Sequence, residues 1–174
     1  INQLPIVSAG IDDTICIGSA TQLIGTGAVS YLWSPSDSLN ANNIPFPIAN
    51  PSVTMDSFLE GTDANGCINF DTVNIFVRSL PTIDAGDDVQ ICLGLNTQLN
   101  ASGGDSYLWT PTTGLSNPTD NDPIANPSDT TTYVVEGTDI HGCVNTDTVT
   151  VVVNSLPNAD AGFNANICEG ASTQ

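Results

Sequence analysis

Apolar positions in this chain come in short, β-branched runs that alternate with polar ones. Val73, Ile75 and Val77 are separated by Asn74 and Phe76, and Val149, Val151 and Val153 keep the same spacing. A period of two places one set of side chains on a single face of a strand. No stretch shows helical periodicity. Gly, Pro, Asn, Ser and Thr punctuate the runs roughly every 8–12 residues, the pattern of an all-β sandwich. In residues 80–155 this predicts a first strand split into Pro81–Ala85 and Val89–Cys92. Further strands follow at Thr97–Ala101, with Leu99 inward, and at Ser106–Trp109. Thr110–Pro123 reads as a long loop, and Ile124–Asn126 as a short edge strand bounded by prolines that cannot donate to a ladder. Two long strands, Thr131–Thr138 and Val144–Val153, close the set around a turn at Gly142. Trp33 and Trp109 are the largest expected core residues. Tyr133, four residues after Asp129, matches the tyrosine corner of Greek-key sandwiches, and Ser57 takes its place earlier in the chain.

The pattern repeats. EGTDANGCINFDTV at Glu60–Val73 returns as EGTDIHGCVNTDTV at Glu136–Val149, 76 residues later. Cys16 to Cys92, Cys92 to Cys168 and Trp33 to Trp109 keep that offset, so the repeat governs the reading of everything else. The expected organisation is tandem Ig-like, PKD-like β-sandwich repeats of about 76 residues. Residues 1–3 end a preceding repeat or linker, 4–79 form the first repeat, 80–155 the second, and 156–174 open a third. Leu-Pro at 80–81 and 156–157 marks short, proline-stiffened joints. In the first repeat the hairpin turn is Asn65-Gly66, a two-residue turn signal in which both residues tolerate positive φ.

Charge narrows the function. Nineteen acids stand against one basic residue, Arg78, for a net charge of −18. Nucleic-acid binders need a basic face to neutralise phosphates, so that class is excluded, and anionic membrane surfaces are disfavoured. No run approaches the ~18 apolar residues of a spanning helix, so this segment is not expected to insert into a membrane. A soluble, self-repelling surface explains the acids, and divalent-cation binding is the alternative.

Units of this size bury little core and need a staple. Cys16, Cys67, Cys92, Cys143 and Cys168 supply two cysteines per repeat, with no zinc-type spacing, and point to disulfides in an oxidising compartment. Pairing within repeats, Cys16–Cys67 and Cys92–Cys143, is the first expectation. In a standard sandwich, however, the first turn and the last hairpin tip lie at opposite ends. Cys16–Cys143, from the foot of one repeat to the head of the next, is then the alternative.

The blocks DAGDDVQIC at Asp84–Cys92, YLWTP at Tyr107–Pro111, GLSNP at Gly114–Pro118, and NPSDTTTYVVEGTD with TDTVTVVV at Asn126–Val153 fall in order across nearly the whole repeat. They resemble the PKD-like, immunoglobulin-like repeats of giant Bacteroidota surface proteins, including gliding adhesins of the SprB type and related filamentous appendages. The resemblance implies type IX secretion, an extracellular, cell-surface location and a role in adhesion, gliding or prey capture.

Other chemistry is sparse. Calcium wants six to eight hard oxygens. Asp63 and Asp71, with Asn65 and Asn69, frame the first hairpin tip, and Asp84, Asp105 and Asp139 could converge near Leu80. With Asp147, the candidate ligands are Asp63, Asp71, Asp84, Asp139 and Asp147, although turn formation explains the same residues. No cofactor is required. His141, the single histidine, reads as a turn residue, and no nucleophile motif accompanies it, so no catalysis is expected. Phe58, Phe76, Val134 and Val152 are expected to face outward and to pack chains laterally into a homo-oligomeric filament. The expected partners are therefore neighbouring repeats and other copies of the chain. The expected function is a structural and adhesive stalk, and the alternative is a carbohydrate- or protein-binding module reading its ligand through Thr110–Pro123.

Overall fold

The computed structural model describes residues 2–160 and 168–169. The described residues form an all-β fold whose strands fall into two sets. The first comprises β1 (Asp13–Cys16), β2 (Thr21–Gln22), β3 (Ser30–Ser34), β4 (Ile48–Ala49), β5 (Met55–Thr62) and β6 (Ile68–Arg78). The second comprises β7 (Val89–Cys92), β8 (Thr97–Gln98), β9 (Ser106–Thr110), β10 (Ile124–Ala125), β11 (Thr131–Thr138) and β12 (Val144–Asn154). Much of the stretch assigned to an opening third repeat, 161–167 and 170–174, lies outside the described residues, as does Ile1.

Each set is an Ig-like sandwich. The larger sheet has the order β1-β6-β5-β3 in one and β7-β12-β11-β9 in the other. The smaller sheet pairs β2 with β4, or β8 with β10, and is widened by the bridges Ser8↔Thr26 and Leu39↔Ala49, repeated as Asp84↔Ser102 and Leu115↔Ala125. The opening segment starts on the small sheet and then crosses to the large one, where β1 runs parallel to β6 and β7 parallel to β12. That crossing is the expected split of the first strand into Pro81–Ala85 and Val89–Cys92, and Gly86 takes φ +79° at the switch.

Alternation decides what is buried. Val73 and Ile75 on β6, and Val149 and Val151 on β12, are buried against Trp33 and Trp109 respectively. Both indoles are fully buried, and each directs Nε1–H to a loop carbonyl, of Ile44 at 3.0 Å and Asp120 at 2.9 Å. A buried indole N–H needs such a partner. The two core clusters share no residue. Tyr133 is fully buried, but it does not make a tyrosine corner. Its hydroxyl donates to the carbonyl of Thr113, twenty residues upstream, and so ties the long loop to β11. Ser57 is buried at the equivalent place with its Oγ unpartnered among protein atoms.

The hairpin turn also corrects the expectation. Among the described residues no non-glycine takes positive φ, and only Gly66 (φ 80°) and Gly142 (φ 82°) do so in the two tips. A two-residue turn with Asn65 left-handed is therefore not formed. The last strand pair is Thr62↔Ile68. Beyond it Asp63 N–H donates to the Cys67 carbonyl and Gly66 N–H to the Asp63 carbonyl. This is a turn followed by a glycine in the left-handed region. The residue before glycine needs no special φ, which is why His141 can stand where the first repeat has Asn65.

Candidate functional site at the joint between repeats

Cys16 is bonded to Cys143, with Cα atoms 5.6 Å apart and 127 residues of separation. The pairings Cys16–Cys67 and Cys92–Cys143 do not form; Cys67, Cys92 and Cys168 are free. The reason is the length of β6. Cys16 lies opposite Arg78 at one end of that strand, and Cys67 immediately precedes Ile68 at the other. Eleven residues of strand span about 33 Å between their ends, whereas a disulfide needs Cα atoms within about 7 Å. The first-turn cysteine thus sits at the foot of its own repeat, where the hairpin tip of the next one arrives.

Three elements build this joint. The end of β1 carries Cys16, held in ladder with Arg78 at the end of β6, and Ile17 N–H donates to the Arg78 carbonyl at 2.8 Å. The β11–β12 tip brings Asp139, His141 and Cys143. Asp139 Oδ1 accepts the N–H groups of His141 (2.8 Å) and Cys143 (2.9 Å), which fixes the tip and aims the thiol. The linker is fixed from the same hairpin, because Asn145 Nδ2 donates to the Pro81 carbonyl at 2.9 Å. Asn69 makes the same bond to Pro5 one repeat earlier.

The chain's one arginine and one histidine both lie here. A shallow cleft at the joint is lined by Phe76, Val77, Arg78, Ser79, Asp139 and His141. The Arg78 guanidinium carbon stands 5.2 Å from the centroid of the Phe76 ring, within cation–π range. The Asp139 carboxyl is held below the ordinary aspartate range. The Cys143 N–H is the main cause, His141 N–H and the charges of His141 and Arg78 add to it, and partial desolvation opposes it. In a chain of net charge −18, the one guanidinium stands where an acidic hairpin tip meets its neighbour.

The candidate calcium residues do not gather. Among the described residues no three of His, Cys, Asp and Glu converge to hold a metal. Each carboxylate instead accepts from backbone N–H. Asp63 takes those of Asn65 and Cys67, Asp71 that of Ala9, Asp84 that of Gly86, and Asp147 that of Ala85. Asp12 and Asp88 likewise take Asn74 and Thr150. Asp12 and Asp71, and their equivalents Asp88 and Asp147, staple the sheet-switching segment to the long strand in each repeat, whereas Asp63 and Asp139 hold the hairpin tips. Asp147 is lowered in pKa by Ala85 N–H first and Thr148 N–H second.

The outward residues separate into two places. Phe58 is 51% exposed, Phe76 44% and Val134 37%, while Val152, on the strand face opposite the buried Val151, is half-buried. Phe76 belongs to the joint, beneath Arg78. Phe58 lies diagonal to Phe70 across β5–β6, on the face that also carries Leu32. Phe70 and Leu32 are exposed, and the same alternation that marks Phe58 could have identified them. The Thr110–Pro123 loop is tied down internally. Trp109 N–H donates to Pro118 and Asn117 Nδ2 to Asp120, besides the bonds from Trp109 Nε1 and Tyr133. Among the described residues no helix is long and apolar enough to cross a membrane.

No protein-family model matches this chain, and no curated protein matches it. Among solved structures, it is similar to the PKD domain from the KIAA 1837 protein, at 24% identity and TM-score 0.39, covering 46% of this chain and 92% of that one. It is similar to the insect immune protein hemolin at 14% identity and TM-score 0.43, covering 86% of this chain and about half, 47%, of that one. It is also similar to the N-terminal eight Ig domains of Down Syndrome Cell Adhesion Molecule, at 16% identity and TM-score 0.39, over 88% of this chain and 28% of that one. Each likeness is one of fold, an Ig-like or PKD-like β-sandwich.

Proposed function

We propose that the chain is a structural and adhesive repeat segment of a very large extracellular surface protein or filament. In this reading it has no catalytic role and needs no cofactor. The observation that carries the proposal is the disulfide between consecutive repeats. A bond that closes a joint rather than a core resists separation of units, which is what a stalk under load requires, and it forms in an oxidising compartment. The acidic, almost Lys- and Arg-free surface supports the reading by keeping chains soluble and offering little to trypsin-type proteases. The sequence resemblance to Bacteroidota gliding adhesins and type IX-secreted appendages supports a filament displayed on a bacterial cell surface.

Chains pack laterally in this reading, with neighbouring copies as partners. The exposed face carrying Leu32, Phe58 and Phe70 supports it, as contiguous exposed apolar side chains mark contact surfaces. Electron micrographs of native material test the proposal: a cable of several chains is expected, and isolated monomeric strings would contradict lateral packing. In the same material Phe58→Asp is expected to reduce cables to single strings while the near-ultraviolet signal of Trp33 is retained. Unchanged cables would remove this face from the contact.

A further inference from the structure

Two free thiols occupy the repeat-equivalent places of the two bonded ones. Cys92 is Cys16 advanced by one period, and Cys67 is Cys143 set back by one. Their backbones match. Cys16 pairs in ladder with Arg78 and accepts Ser19 N–H, while Cys92 pairs with Asn154 and accepts Leu95 N–H. Cys143 N–H donates to Asp139 at 2.9 Å and Cys67 N–H to Asp63 at 2.8 Å. They differ only in cover. Cys143 is fully buried and Cys16 half-buried, whereas Cys67 is half-buried and Cys92 exposed. The bonded pair is covered by the other repeat at the joint.

We propose that Cys67 and Cys92 are half-joints of an unbroken series of disulfides that bears tension along the array. Cys67 bonds the first-turn cysteine of a preceding repeat, and Cys92 the hairpin-tip cysteine of a following one. The inference rests on the repeat and on the Cys16–Cys143 bond, not on the adhesive reading. At the Cys92 end Asn154 stands in the place of Arg78 and Val152 in that of Phe76, so a joint formed there would lack the guanidinium. Closure proceeds by exchange with a small disulfide such as oxidised glutathione. The thiolate of one half-joint attacks it and releases one glutathione thiol; the second thiolate attacks the mixed disulfide and releases the other. One disulfide is consumed and one made, and the two protein protons leave with the two glutathione thiols.

The mechanical consequence is a covalent bypass. Pulled at its ends, the oxidised chain carries force through 15 residues before Cys16, across the bond, and through 31 after Cys143. The intervening segment is off the path. Fully extended, that path reaches about 160 Å, against about 600 Å for the open chain. In an array the next bond leaves from Cys168, 25 residues beyond Cys143, so two repeats are limited to about 90 Å. Two strands of 11 residues laid in line, like β6 and β12, already span about 70 Å. Both repeats of such a pair can therefore unfold while the array lengthens by only about a quarter.

Two measurements test this. In the first, the 174-residue chain is stretched between its ends. Final length is expected near 160 Å when oxidised, with a further gain of about 440 Å once dithiothreitol is added. Cys16→Ser and Cys143→Ser should each show the long form without reductant. Equal final lengths with and without reductant would overturn the load path. In the second, residues 1–155 are joined to a second copy of 4–174, so that Ser155–Leu4–Pro5 reproduces Ser79–Leu80–Pro81. After equilibration in a glutathione redox buffer, an Asp- and Glu-specific protease is used for non-reducing peptide mapping. A peptide linking Cys92 of the first copy to Cys67 of the second is expected. Cys16–Cys67 or Cys92–Cys143 linkage, or absence of the Cys92–Cys67 peptide with Cys67 and Cys92 fully alkylated in both copies while Cys16–Cys143 stays closed, would overturn the series.

Discussion

Single residues in this fold are constrained mostly by close backbone approach. Gly103 holds φ +90°, and a Cβ built there would lie 1.9 Å from the Thr82 carbonyl oxygen; Gly27 meets Ile6 in the same way. The opening segment is thus laid directly over a glycine so that the Asp84↔Ser102 bridge can form. Gly103→Ala combines left-handed strain of about 1–2 kcal/mol with a clash that only displacement of the opening segment relieves. We expect a loss of at least about 2 kcal/mol, measured by urea denaturation followed through Trp109. A loss below about 1 kcal/mol would mean the opening segment is loosely held. Burial of the tryptophans was legible from size and spacing, since each is the largest side chain on a short strand, at the same alternating position in both repeats. The partner of Tyr133 was not. It donates to a loop carbonyl twenty residues away, and no local pattern marks which carbonyl a loop will turn inward.

Strands and turns were legible to the extent that alternation and punctuation decide them. The inward set on β6 and β12 follows directly from period two, and the first strand was legible as two pieces, Pro81–Ala85 and Val89–Cys92. What alternation cannot say is which end of a strand a residue reaches in space, and the cysteine pairing turned on that. The recurrent acids show a similar limit. Asp at a turn and Asp at a metal look alike in sequence, and only the fold shows backbone N–H groups already consuming these carboxylates. Their electrostatics make a prediction about pH. Asp139 and Asp147 both have lowered pKa values in the folded chain, chiefly through backbone N–H donors. A group depressed on folding stabilises the fold above its unfolded pKa and loses that contribution as pH falls through the folded one. Stability should therefore be flat above about pH 5 and decline below about pH 4. Asp147→Asn, which keeps an acceptor oxygen but cannot titrate, should show a shallower decline in urea midpoint between about pH 4 and 2 than the parent chain. Parallel declines would assign the acid limb to other carboxylates.

The whole molecule is held as a pair of repeats rather than as two independent ones. Its cores share no residue, so packing alone predicts separate unfolding. The disulfide changes that through the unfolded state. When either repeat unfolds with the bond closed, its chain must return to a fixed point on the folded neighbour. For a loop of about 60 residues the chain-entropy model puts that restriction at about 4 kcal/mol. When the second repeat follows, the loop only doubles, to the 127 residues between Cys16 and Cys143, and the added cost is about 0.6 kcal/mol. The first unfolding event therefore bears nearly the whole penalty, and the second is easier by about 3 kcal/mol than it would be alone. Positive coupling of this size merges transitions. Trp33 reports the first core and Trp109 the second, so Trp33→Phe and Trp109→Phe chains isolate each signal. In oxidising buffer the two urea curves are expected to coincide. In dithiothreitol, or in Cys143→Ser, both midpoints should fall and the curves should separate. Separate curves under oxidising conditions would show that the bond constrains each repeat without linking them. Coincident curves in the reduced chain would shift the coupling to the cleft that Arg78 and Asp139 line and to the Leu80–Pro81 joint.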